Sequence, residues 1–116
     1  MKFTYDFAKI NNKVPMIEFL EELSFKERAK IFAYIEKLVE LKNIGIQPKA
    51  HLSKHLEDGI FELRVTFKNR ISRSLYFYES DKQLIFTHGF VKKKQKTPKT
   101  EINKAKNMRK LWRKEK

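Results

Sequence analysis

The sequence predicts an α+β fold: a small antiparallel sheet with a helical hairpin packed on one face, followed by a C-terminal helix. Residues 14–42 place apolar side chains at helical spacing, residues 60–91 alternate as strands do, and helical spacing returns after Pro98. With 116 residues, of which 41% are hydrophobic, the chain is long enough to bury one core. We therefore expect residues 1–116 to form a single domain.

The N-terminal part of the chain predicts a strand and a short helix. Residues 2–7 (KFTYDF) alternate aromatic and polar side chains, which is typical of a half-buried strand. Residues 14–23 (VPMIEFLEEL) place Pro15 at the first helical position and keep Met16 and Leu20 on one face. This pattern favours a short helix that follows the strand.

A second, longer helix should follow directly. Ser24 and Glu27 fit a capping box, in which the serine side chain and the glutamate side chain each satisfy a free backbone N–H. Apolar residues at helical spacing then predict a helix over about 25–42 that ends near Gly45. Together the two helices should form a helical hairpin.

The rest of the chain reads as a connection, three strands and a last helix. Residues 43–59 contain Gly45 and Pro48 and are expected to form the connection, and 60–67, 73–79 and 83–91 are expected to form strands. Close spacing favours an antiparallel meander. Thr97 and Pro98 then open a helix with apolar residues on one side, namely Ile102, Ala105, Met108 and Trp112.

Positive charge is concentrated at the end of the chain. The net charge is +13, and residues 91–116 alone hold twelve basic and two acidic residues, which gives +10 for this segment. Such a basic field suits a polyanion or an acidic protein partner. The start of the chain has no apolar leader and no stretch is apolar enough to span a bilayer, so we expect a soluble cytoplasmic protein.

No cofactor or metal is predicted. The chain has no cysteine, which excludes disulfides and thiolate metal sites. His51 and His55 lie four residues apart and would share a helical face, but they lack a third ligand. His88 is a candidate either for a buried structural histidine, since it shares strand parity with Leu84 and Phe86, or for a proton-transfer group.

Basic residues on and between the predicted strands are candidates for binding phosphate. Arg64 alternates with apolar neighbours and should face the less covered side of the sheet, together with Glu62 and Thr66. Further basic residues are expected to converge with it on one exposed surface, namely Arg70, Arg73, Lys92, Lys93 and Lys94. Arginine binds phosphate bidentately, and nearby aromatic residues suit unpaired bases. The simpler alternatives are a hydrated or ion-paired arginine, a solvated lysine face and aromatic residues of the core.

Linked motifs in the second half of the chain resemble one family. The stretches DGIFELRVTFKNRISRSLYFYE (58–79) and LIFTHGFVKKKQKTPKTEINKAKNMRK (84–110) contain a Gly-Ile-Phe-Glu-Leu-Arg strand, an Arg-x-x-Tyr-Phe strand and His-Gly-Phe-x-Lys-Lys. Together they resemble the phage Gp49-like branch of the RelE/HigB toxin superfamily. The resemblance implies a RelE-like fold of the microbial-RNase type.

The resemblance also implies a function and a partner. Such proteins are toxins of type II toxin–antitoxin systems and act as metal-independent, ribosome-dependent mRNA endoribonucleases. The expected partner is a HigA-like helix-turn-helix antitoxin, with operator DNA bound only through it. Arg73, Arg64, Lys93 and His88 would be the catalytic residues, and Arg70, Lys92, Lys94 and Lys96 would bind RNA. The alternative is a non-catalytic RNA-binding module that blocks translation by occupancy.

Overall fold

The structure, a computed structural model, describes residues 2–80, 82–92 and 96–116. In chain order its elements are β1 (Thr4–Phe7), α1 (Pro15–Glu21), α2 (Phe25–Asn43), β2 (Ser53–Glu57), β3 (Ile60–Thr66), β4 (Ile71–Glu79), β5 (Gln83–Lys92) and α3 (Lys99–Glu115). Within these ranges no helix combines the length and the apolar character needed to cross a bilayer.

The five strands form one mixed sheet in the order β1-β5-β4-β3-β2. Strands β3, β4 and β5 pair antiparallel in sequence, as the meander predicted, and the edge strands add β2 antiparallel to β3 and β1 parallel to β5. The α+β class, the helical hairpin and the C-terminal helix are therefore confirmed. The helical hairpin begins with the predicted capping box, since Ser24 Oγ accepts from Glu27 N at 3.2 Å.

Strand β2 was not predicted, because residues 43–59 were interpreted as a connection throughout. This edge strand is short and has exposed Lys54 and His55 at its centre, so it lacks the apolar alternation that identifies a strand. The proposed helical face for His51 and His55 is wrong for the same reason. His55 lies in a strand, and its Nε2 accepts a hydrogen bond from Gly59 N at 3.1 Å.

The helical hairpin covers one face of the sheet, which we call the hairpin face. Its core combines buried residues of α1 and α2 with inward-facing residues of the strands, namely Met16, Leu20, Ile31, Ile35, Leu38, Leu63, Val65, Tyr76 and Phe86. Helix α1 lies so close to β5 that a side chain at Gly89 would overlap the Phe19 ring. The absence of a side chain at Gly89 thus permits this contact.

The opposite face of the sheet is covered by α3, and we call it the α3 face. The predicted apolar side of the helix packs there through Ile102, Ala105 and Met108, against the strand residues Ile60, Leu75, Phe77 and Ile85. The face was expected to be partly open; α3 covers the part that carries these strand residues, whereas Thr66 and Lys92 on the same face are exposed. The apolar stripe on α3 needs a partner, and this sheet face provides it.

Ion pairs hold both ends of α3 to the turns of the sheet. Glu57, next to the β2–β3 turn, pairs with Lys99 at 2.6 Å and with Lys106, and these two lysines lower the pKa of its carboxyl to about 2. Glu79, at the end of β4, pairs with Arg113 at 3.3 Å and with Lys116 at 2.9 Å. Part of the C-terminal positive charge is therefore used to attach the helix.

We predict that Gly89→Ala destabilises the protein by about 1–3 kcal/mol, because a packed core accepts extra volume poorly. The new Cβ would lie 2.3 Å from Phe19 Cδ2. Urea unfolding followed by circular dichroism measures the change. Phe19→Leu in the Gly89→Ala background should recover part of the loss, since the two sites are coupled. Equal midpoints for the wild type and Gly89→Ala would contradict the close packing of α1 on β5.

Candidate functional site

Three rows of side chains cross β3, β4 and β5 on the α3 face. Cα pairing places Glu62, Leu75 and His88 in the first row, Arg64, Arg73 and Phe90 in the second, and Thr66, Ile71 and Lys92 in the third. Alternate residues of a strand share a face, so the sheet brings Arg64, Arg73, His88 and Lys92 to one side. Arg64, Arg73 and Lys92, which were predicted to converge, therefore share one face of the sheet, and His88, which was not part of that prediction, lies on the same face.

A β-bulge in β5 is responsible for this alignment. Leu75 pairs with His88 and Tyr76 pairs with Phe86, so Thr87 is an extra residue without a partner position on β4. The extra residue reverses the alternation, and side chains after Thr87 face opposite to those expected from positions before it. The predicted shared parity of His88 with Leu84 and Phe86 is therefore wrong, because those two residues face the helical hairpin.

Arg73 is fully buried and bonded to groups that lie beneath the start of α3. Its Nη1 donates to Glu62 Oε1 at 3.1 Å and Oε2 at 3.3 Å, and to Thr97 Oγ1 at 3.2 Å. Thr97 also donates to Glu62 Oε1. Because Arg73 and Glu62 are both 0% exposed, each provides the counter-charge that the other needs inside the protein. The prediction of an exposed Arg73 is wrong.

Arg64 lies next to Arg73 but reaches the surface. The two residues are Cα partners across β3 and β4, and Arg64 Nε is 3.9 Å from Glu62 Oε2. The Arg64 side chain is 17% exposed, whereas that of Arg73 is completely covered. Glu62 therefore stands between two guanidinium groups, one buried and one accessible, and the three together carry a net charge of +1.

His88 is also buried on this face, at 2% exposure. Its Nε2 is 2.9 Å from Glu101 Oε1 in the first turn of α3, and its Nδ1 is 3.1 Å from Thr87 Oγ1. Burial lowers the pKa of His88, with Lys104 acting in the same direction and Glu101 opposing it. The neutral ring that this favours donates Nε2–H to Glu101 Oε1, while the Thr87 hydroxyl donates to Leu75 O at 3.2 Å.

The remaining predicted site residues are Arg70, which lies away from Arg64, and four lysines at the end of β5 and after it. Arg70 pairs with Glu27 of α2 at 2.7 Å and lies over the Phe67 ring, which places it on the hairpin side and away from Arg64. Lys92 and Lys96 are exposed. The other two predicted lysines, Lys93 and Lys94, lie outside the described residues. Among the aromatic residues, Tyr76 and Phe77 belong to the core, whereas Phe90 is partly buried beside Arg73.

Two residues of the site, Thr97 and Glu101, were missed from the sequence. Glu62 was expected on the same face as Arg64 from its strand parity, but its ion pair with Arg73 was not predicted. Thr97 was interpreted only as the start of a helix, yet Pro98 is the N-cap residue and the Thr97 hydroxyl points into the sheet. Among the described residues, no group of three or more histidine and acidic side chains is placed to hold a metal ion.

We predict that acidification destabilises the protein through His88 before it affects the paired carboxylates. A lowered pKa in the folded state means that the unfolded chain protonates first, so stability falls as the pH drops below about 6.5. The pKa values of Glu57 and Glu79 are also lowered, but these two groups reduce stability only when the pH falls below their ordinary pKa of 4.5. Urea midpoints between pH 7.5 and 5 test this.

The matched variant for this measurement is His88→Gln, which keeps a polar side chain and cannot titrate. Its urea midpoint should depend less on pH than that of the wild type between pH 7.5 and 5, whatever its absolute stability. Parallel pH profiles for the two proteins would contradict a lowered pKa for His88.

The family of the chain follows from comparison with known proteins. A search of curated proteins finds no match. A family model described as phage-derived protein Gp49-like (DUF891) matches residues 18–110, a range that includes β2 to β5 and most of α3. This toxin-like family is related to RelE and HigB, and such toxins in general have a cognate antitoxin. The chain belongs to the Gp49-like family.

Proposed function

We propose that the protein is the toxin of a type II toxin–antitoxin pair and inhibits translation as a ribosome-dependent mRNA endoribonuclease. One observation carries the proposal: Arg64 and Arg73 are paired across neighbouring strands, in a chain of a toxin-like family. The partly exposed Arg64 guanidinium suits the phosphate of RNA, because it offers a planar array of donors, and buried Arg73 lies directly beside it. The net charge of +13 supports a polyanionic target.

The reaction needs no metal or cofactor. The 2′-oxygen of a ribose forms a bond to the adjacent phosphorus, the bond from phosphorus to the 5′-oxygen breaks, and the products are a 2′,3′-cyclic phosphate and a 5′-hydroxyl. One proton leaves the 2′-hydroxyl and one reaches the departing 5′-oxygen. Arginine side chains contribute by stabilising the negative charge that develops on the phosphoryl oxygens.

Proton transfer is assigned to a lysine of 92–94 or to His88. Lys92 is exposed and lies one row beyond Arg64 and Arg73, which supports a position near the bound phosphate. His88 has the chemistry of a general base in its neutral form. Because Glu101 covers its Nε2 in this structure, a role for His88 requires the first turn of α3 to release it.

The proposed partners follow from charge and from the family. Lys92 and Lys96 are exposed and would contact mRNA or ribosomal RNA through phosphate, as would Lys94. Arg70 would join them only from the hairpin side, where Glu27 now holds it. The antitoxin would be a HigA-like helix-turn-helix protein, and operator DNA would be bound through the antitoxin alone.

A non-catalytic RNA-binding module is the second candidate. It is favoured by the burial of Arg73 and His88, both of which are occupied by protein carboxylates. Such a module would use the exposed Arg64, Lys92 and Lys96 to occupy RNA and would need no proton-transfer group.

We predict that induction of the protein in growing cells produces discrete new 5′ ends in mRNA, detected by primer extension. Arg64→Ala should reduce cleavage about 10²–10³-fold, by analogy with the loss of one preorganised donor to a transition-state oxygen.

Arg113→Ala is the matched control for Arg64→Ala, because Arg113 pairs with Glu79 at the other end of β4 and should leave cleavage unchanged. Growth arrest without new 5′ ends would favour the occupancy module over the enzyme. Cleavage that survives Arg64→Ala in a folded protein would remove Arg64 from the proposed mechanism.

A further inference from the structure

The two arginines of the site differ in what they can reach. The Arg73 guanidinium lies under the segment that carries Thr97 and donates to Glu62 and Thr97. The Arg64 side chain lies on the adjacent strand and is partly exposed. An RNA phosphate that approaches this surface therefore meets Arg64 first, and Arg73 lies behind it.

Glu62 connects the two arginines. Its Oε1 is held by Arg73 at 3.1 Å and by the Thr97 hydroxyl, and its Oε2 lies 3.9 Å from Arg64 Nε. A carboxylate beside a phosphate site ordinarily weakens anion binding by repulsion. Here the positive charge of buried Arg73 balances the negative charge of Glu62. The carboxylate can therefore orient Arg64 without cancelling the positive charge of the Arg64 guanidinium.

We propose that Arg64 is the direct phosphate contact, and that Glu62, fixed by Arg73 and Thr97, is a positioning residue that orients the Arg64 guanidinium. Arg73 then acts through Glu62 and not by touching RNA. This inference rests on the proposed function only in taking RNA as the ligand, and it holds equally for the enzyme and for the occupancy module.

The geometry gives a reason for burying the charges of Glu62 and Arg73 next to Arg64. Burying an ion pair is costly, and apolar replacements of similar volume are often as stable. An apolar pair in place of Glu62 and Arg73 would leave Arg64 without the carboxylate oxygen beside its Nε. An arginine restrained before binding loses less side-chain entropy when it engages phosphate.

The test measures binding of a fluorescein-labelled single-stranded RNA of twelve nucleotides by anisotropy at several salt concentrations. The slope of log affinity against log salt counts the phosphate contacts, with about 0.7 for each contact on a single strand. Arg64→Met should weaken binding and reduce this slope by about 0.7. The double variant Glu62→Gln/Arg73→Met leaves the net charge unchanged and should lower affinity about tenfold with no change of slope.

The matched control is Glu79→Gln/Arg113→Met, which removes the same charges at the far end of β4 and should leave affinity and slope unchanged. A slope that falls by about 0.7 in Glu62→Gln/Arg73→Met would show that Arg73 contacts phosphate itself and would overturn the proposal. Unchanged affinity in that variant would overturn it too, because the pair would then be merely structural.

A second variant keeps the test decisive if the double variant Glu62→Gln/Arg73→Met does not fold. Thr97→Val removes one anchor of Glu62 without changing charge or volume appreciably, and it should lower affinity two- to fivefold at constant slope. Thr100→Val, at an exposed position of α3, is its control. Unaltered binding by a folded Thr97→Val protein would count against the proposal. If the wild type shows no salt-dependent RNA binding, this inference is overturned, whereas the proposed function is decided separately by the appearance of new 5′ ends in mRNA.

Discussion

The structure of the site depends on one buried ion pair, between Glu62 of β3 and Arg73 of β4. Neither residue is exposed, so each charge is tolerated only because the other is within hydrogen-bonding distance. The pair joins β3 to β4 and is hydrogen-bonded to the Thr97 hydroxyl, and Thr97 lies two residues before α3. These contacts hold the segment that leads into α3 against the sheet, beside the strand position of Arg64.

The basic end of the chain has two functions that its composition alone does not separate. Five of its side chains pair with carboxylates at the turns of the sheet and attach α3, namely Lys99, Lys106, Arg109, Arg113 and Lys116. Lys92 and Lys96 lie before the helix and are exposed. Part of the +10 charge of residues 91–116 is therefore balanced by carboxylates of the sheet, whereas Lys92 and Lys96 are exposed between the end of β5 and α3.

Much of the fold was predictable because most elements have strong local signals. The capping box at Ser24 and the apolar spacing after it identified α2 almost to the residue, and alternation identified β3. Strand β2 was missed because an edge strand with polar central residues has no such pattern. Parity correctly placed Arg64 on the face opposite the helical hairpin, and Arg73 was expected to converge with it there. The burial of Arg73 was not predictable, because it arises from the tertiary packing of α3 and from Thr97, neither of which leaves a periodic signal.

The extra residue at Thr87 divides β5 into two segments whose even-numbered side chains face opposite sides of the sheet. Before it, even-numbered side chains such as Phe86 join the hydrophobic core under the helical hairpin; after it, even-numbered side chains such as His88 and Phe90 turn to α3. The first half of β5 thus only supports the fold, whereas the second half also supports it, through Gly89 against Phe19, and in addition lines the proposed phosphate site. A single inserted residue therefore lets one strand turn polar side chains towards α3 while it stays paired with β4 on both sides of the bulge.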